Sequence, residues 1–148
     1  MEPHQIDADE CRRLLASGIV GRVAISTPRG PHIVPVNYAV LGDRVLFRTT
    51  PYSLLGTYGR NAEMAFEVDH VDYEYGAGWS VVALGRGRVL SDAREVQELV
   101  GAEMPRPWAN GARSLVFALT WREITGRRLG LSLGDARDLP VHRHATSR

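Results

Sequence analysis

Lysine is absent from this chain, and all 18 of its basic residues are arginine. Schiff-base catalysis and the lysine of an ordinary Walker phosphate loop are therefore excluded. Cysteine is nearly absent as well. Cys11 alone rules out an intrachain disulfide and a cysteine metal cluster, and its place on a helix face marks a packed thiol rather than a reactive one. No apolar run reaches the length of a membrane span or signal segment, and the opening MEPHQIDADE is polar and acidic. The expectation is a cytoplasmic protein with no membrane partner. Strong charge of either sign is also missing. A formal net charge of +1 lacks the field of a chain that tracks nucleic acid or an anionic surface.

The 148 residues that are present suffice for one domain burying about 70% of its extended surface. Its centre is VPVNYAVLGDRVLFRTTPYS, residues 34–53. Alternating apolar residues flank a Gly42-Asp43 dipeptide of the hairpin type, so two strands joined by a tight turn are predicted. With Leu41 and Arg44 closing the turn, Tyr38 falls opposite Phe47, Asn37 opposite Arg48 and Val36 opposite Thr49. One face is mostly apolar, and the other carries Asn37, Arg48 and Thr50. The chain then passes Pro51 to Ser53, a cap for a short helix from Leu54. An arginine, hydroxyls and a helix start converging here outline a phosphate site.

Around this hairpin the pattern predicts a capped amphipathic helix from Asp7 with Cys11, Leu14 and Leu15 on one face, stopped by Ser17-Gly18. Strands are predicted over 19–27, 32–40, 44–50, 62–69, 79–90 and 114–124, with a second helix opened by Asp92 whose apolar face is Val96, Leu99 and Val100. Gly21 implies a bulge or close packing, and Gly85 and Gly87 permit the bending that closes a small barrel. HVDYEYGAG and GAEMPRPWANGA are predicted loops. The expectation is mainly β with short helices: a six-stranded antiparallel barrel with helices packed outside it, as one domain over 1–133 and a polar basic tail over 134–148.

Three stretches in order, GRVAISTPRGPHIVPVNYAV, LFRTTPYSLL and GWSVVALGRGRVL, resemble the FMN-binding split-barrel superfamily named for pyridoxamine 5'-phosphate oxidase, in the branch of nitroimidazole-resistance-type proteins. The resemblance implies a split barrel working as a homodimer, with flavin mononucleotide at the subunit interface. It implies phosphate contacts from Arg48, Thr49 and Thr50, with Ser53 and Leu54 at the following helix start. It places Pro35, Val36 and Asn37 beneath the isoalloxazine ring, and Trp79 and Ser80 against the ring or ribityl chain. Where the oxidase has an Arg-Lys pair after its phosphate strand, this chain has SLL, so pyridoxamine phosphate is not the expected substrate. TGRRL offers Arg127 and Arg128 without a clear counterpart.

The function so implied is an FMN-dependent oxidoreductase transferring a hydride to or from a small planar or aromatic substrate, with His32 as a candidate proton donor. A deazaflavin-dependent reductase of the same fold is one alternative. A non-catalytic barrel for flavin, haem or fatty acid is another. No metal site is expected: His142 and His144 share an H-x-H spacing but lack a third ligand. Gly85-Arg86-Gly87 lacks the context of a dinucleotide loop, and Glu67 with Asp69 reads as the solvent face of a strand.

Overall fold

The computed structural model of the chain describes residues 4–100 and 115–130. Strand β1 (His4–Ile6) leads into helix α1 (Ala8–Ser17), followed by β2 (Val20–Thr27), β3 (Gly30–Leu41) and β4 (Arg44–Thr49). Helix α2 (Leu54–Tyr58) precedes the long β5 (Glu63–Asp72) and β6 (Ala77–Val89), then α3 (Ala93–Val100) and β7 (Leu115–Leu129). Adjacent strands are antiparallel, and the order β7-β4-β3-β2-β5-β6 returns to β7, so six strands close a ring. The seventh strand is β1, and it corrects the six-strand expectation. It pairs Ile6 with Gly126 on the stretch of β7 beyond its pairing with β4, which ends at Arg44 and Thr120. Three residues are too few to carry a periodic signal, which is why HQI did not read as a strand. The predicted tail over 134–148, the loop 101–112 and both His142 and His144 lie outside the described residues.

The ring is filled by alternating side chains. Val23, Val45, Phe47, Phe66, Val81, Phe117 and Leu119 are completely buried, as inward positions of a small barrel must be. Phe47 stacks on Phe117 with ring centroids 5.4 Å apart, and Tyr38 meets Phe66 edge-on at 4.6 Å. Helix α1 contributes Cys11, Leu14 and Leu15 to this same core rather than packing outside it. Burial pushes the Cys11 thiol pKa up, in keeping with a packing role. Helix α3 does lie outside, where Val96 covers Leu46, Leu90, Val116 and Ala118.

Local chemistry explains the joints. Asp7 caps α1 by accepting from the Glu10 amide at 2.9 Å, but Glu10 does not complete the predicted capping box. Its carboxylate is held instead by Arg13 at 2.6 Å and by Arg128 at 3.1 Å. At Gly42, φ is +60°, which a turn with glycine first demands, and Leu41 pairs with Arg44 as predicted. Gly85 sits at a register shift between β6 and β7, and a Cβ there would collide with the Thr120 carbonyl. Neither β5 nor β6 stops where polarity suggested. They run on to Asp72 and back from Ala77, with Asp72 Oδ1 accepting the amides of Glu74 at 3.0 Å and Tyr75 at 3.1 Å in the turn. Likewise TGRRL continues β7 instead of leaving it.

Tyr38 ties α1 to the ring, its hydroxyl donating to the Leu15 carbonyl at 2.5 Å. Burial raises its phenol pKa far above the ordinary value of 10.0. The neutral phenol is thus favoured by folding, and that contribution is complete below the unfolded pKa. From about pH 10 upward stability should fall by about 1.4 kcal/mol per pH unit, until the folded pKa is passed. Urea titrations of the wild type and Tyr38→Phe across pH 8–11 check this. An equally steep alkaline loss in the variant would assign the effect to other groups.

Among the described residues no helix is long and apolar enough to cross a membrane.

Candidate functional site

Side chains of β3 at even positions face the core, and those at odd positions face outward. The observed β3–β4 register begins at the turn and ends at Tyr38–Phe47, as the sequence predicted up to that point. Beyond it the strands part. Arg48 and Thr49 pair with Val116 and Leu115 of β7, and Asn37 pairs with Val20 of β2. This parting is the split of the barrel. It leaves residues 31–36 of β3 without a partner strand on the β4 side among the described residues. Counting from the two-residue turn, odd residues of β3 aim their backbone groups toward that open side. Pro31 and Pro35, lacking an N–H, blunt it against accidental strand addition.

The residues singled out from the sequence divide into groups. Asn37 and Arg48 both lie on the outward face, and Pro35 is exposed beside them. Val36 instead turns into the core with 8% exposure and can offer only backbone. Half-buried Arg48 makes no hydrogen bond or ion pair with any described residue. Most of the described arginines contrast with it: Arg13 is held by Glu10, Arg22 by Glu67 and Asp69, Arg88 by Glu95, and Arg86 by Glu63. The Thr50 hydroxyl is likewise uncommitted among the described residues.

Thr49 and Ser53 are differently placed. Ser53 caps α2, accepting the Gly56 amide at 2.9 Å, while its own proton goes to the Thr50 carbonyl at 2.8 Å. The 2.6 Å contact between the Thr49 and Ser53 hydroxyls must then have Thr49 as donor. Thr49 is 3% exposed. Both hydroxyls shape the turn that presents Arg48 and Thr50, and Leu54 is exposed at its rim. His32 falls on the inner face of β3, paired with Ile25, on the opposite side of the strand from Pro35 and Asn37.

Ser80 reaches the same outward face from the other side. Asn37 pairs with Val20, and Ser80 pairs with Asp69. Extending the Arg22–Glu67 pairing by two residues brings Val20 level with Asp69. Asn37 and Ser80 are thus three strand spacings apart, about 14 Å. The Arg22 guanidinium lies between them, 2.7 Å from Glu67 and 3.2 Å from Asp69. Burial, with Asp69 nearby, raises the Glu67 pKa despite that arginine. Trp79 alternates to the core side and stacks on His70 at 6.4 Å. Beyond Ser80 a cavity of about 430 Å³ opens among Val71, Tyr73, Leu129 and Arg127. Arg127 is a residue that motif reading left unassigned. Its only signal is its cross-strand pairing with Ser80, which exists once the β6–β7 register is known.

An outward sheet face with an unmatched guanidinium at one end, apolar Val20, Ile33 and Pro35 along it, and polar groups at the other suits an elongated ligand with a planar part and an anionic end. Its fold class is the antiparallel split barrel, and the sequence pattern defining the pyridoxamine 5'-phosphate oxidase family matches residues 7–128. The chain belongs to that family. It is 34% identical over 130 residues to an uncharacterized protein of Mycobacterium tuberculosis, Rv0080, covering 84% of each. An FAD binding protein from Mycobacterium smegmatis superposes with a TM-score of 0.72 at 31% identity, over 86% of this chain and 98% of that one. A protein assigned to 5-nitroimidazole antibiotic resistance in Bacteroides thetaiotaomicron shares the fold, with a TM-score of 0.69 at 15% identity, over 88% and 91% of the two chains.

Proposed function

We propose that this chain binds flavin mononucleotide on the outward face of β2, β3, β5 and β6, and that it is an oxidoreductase acting on a small planar substrate. The observation that carries the reading is the half-buried Arg48 guanidinium, without a partner among the described residues, beside Thr50 at the split of the barrel. Family membership and the FAD binding neighbour from M. smegmatis support a flavin as the ligand. Bound flavin supplies the hydride chemistry.

The chain's own residues place it. Arg48 and Thr50 hold the phosphate by charge-assisted and hydroxyl hydrogen bonds. Thr49 and Ser53 fix the turn behind them. Asn37 and the open edge of β3 orient the polar rim of the ring, while Pro35 and Val20 give it an apolar floor. Ser80 bounds the far side. His32, on the inner face, has no direct line to this surface and is not given the proton-donor role.

The same face is where a second copy would dock, with cofactor between the two. Ile33 is 69% exposed and Val20 37%, an apolar strip no described helix covers. A homodimer would cover it.

The test is titration of the stripped full chain with FMN, FAD and a deazaflavin, followed by absorbance and calorimetry, with sedimentation for the assembly state. Preferential FMN binding is expected. Preference for the deazaflavin would keep the fold but change the reductase class, and binding of none would overturn the reading.

A further inference from the structure

The cavity beyond Ser80 has chemistry of its own. At about 430 Å³ it lies in the small-molecule range, roughly 300–1,000 Å³. Val71, Tyr73 and Leu129, all substantially exposed, give it apolar walls suited to a flat body. Two carboxylates line it, and both are occupied: Asp69 by Arg22 at 3.2 Å, and Asp72 by the turn amides of Glu74 and Tyr75. Arg127 is the cationic side chain in the wall, and it has no hydrogen bond or ion pair with any described residue. It stands directly across from Ser80, whose hydroxyl is equally uncommitted. A guanidinium and a hydroxyl side by side on neighbouring strands are a matched pair of donors for a carboxylate or phosphate.

We infer that this cavity is a binding site for a small planar ligand carrying one anionic group, with the flat body against Tyr73 and Leu129 and the anion on Arg127 and Ser80. Calling that ligand the substrate rests on the flavin reading above; the binding itself does not. The geometry sets the class by its open donors. Asp69 is held by Arg22, which it shares with Glu67, and Asp72 Oδ1 by two turn amides. Arg127 and Ser80 are left as open side-chain donors in the wall, and a neutral analogue of the same shape loses the charge-assisted bond to Arg127.

The experiment uses benzoate and its neutral isostere benzamide, added to the full chain and followed by the amide signals of Gly76 and Gly78, which lie in the cavity wall. Benzoate should move these signals and bind about tenfold or more tightly than benzamide. Arg127→Gln should abolish that preference while leaving amide signals elsewhere unchanged, and Arg29→Gln, in an exposed turn, should retain it. Absence of benzoate-induced shifts at Gly76 and Gly78, equal affinity for the two probes, or an undiminished preference in Arg127→Gln would each overturn the assignment. Flavin absorbance recorded on the same samples reports separately on the flavin reading, so either can fail while the other stands.

Discussion

Phe47→Ala should destabilise the fold by about 3–5 kcal/mol, the range for removing a fully buried aromatic side chain. Phe47 has no exposed surface, pairs across strands with both Tyr38 and Phe117, and stacks on the latter within 4° of parallel. It is thus the middle of a row linking β3, β4 and β7 at the point where β3 and β4 part. Neighbours cannot collapse into the space without moving the strand that carries Arg48, so the cavity should persist. Domains of this kind have about 5–15 kcal/mol in total, and the variant would sit near the edge of stability. Phe47→Leu keeps most of the volume and should cost less than half as much. Urea unfolding of both variants measures the difference. A loss under about 1 kcal/mol for the alanine would show that the barrel is loosely packed there.

The same row shows how far sequence reasoning reached. Gly42-Asp43 and the alternation around it determine the hairpin register locally, because a one-residue slip would turn every core residue outward. That information is contained in some ten residues. Where β3 and β4 separate is a different matter: β4 keeps its ladder with β7 through Arg48–Val116 and Thr49–Leu115, nearly seventy positions later, while β3 continues with β2 alone, and no local pattern encodes that point. β7 itself runs on through the polar TGRRL because Gly126 lets the strand approach Cys11, where a Cβ would stand 2.6 Å from the sulfur. Gly18 is similar. It ends α1 with an extended φ of −86°, not the left-handed one of a glycine cap, and a side chain there would strike the Tyr38 hydroxyl.

Site residues follow the same rule. Alternation alone puts Asn37 outward and His32 on the other face, so both placements were implicit in the sequence. The roles of Thr49 and Ser53 were not, because an N-cap serine and a phosphate-binding serine have the same sequence signature. Only the hydrogen-bond directions distinguish them. Arg127 needed the register of β6 against β7, which depends on the shift at Gly85.

Arg48→Ala should weaken flavin binding by about 10- to 150-fold, the equivalent of losing a charged hydrogen bond of about 1.5–3 kcal/mol. Folding should hardly change. The guanidinium has no partner among the described residues, so its removal strands no buried group, and a shift within about 0.5 kcal/mol is expected. That contrast is what separates a ligand anchor from a structural arginine. Arg22, by comparison, bridges Glu67 and Asp69, and its loss would leave two adjacent carboxylates facing each other. Arg48→Lys retains charge but not the planar fork, so it should fall between wild type and alanine. Calorimetric titration with FMN, alongside circular dichroism and urea unfolding, reads affinity and fold separately. Undiminished flavin affinity in Arg48→Ala would remove the phosphate from the split of the barrel. A parallel loss of fold and flavin would instead make Arg48 a structural residue.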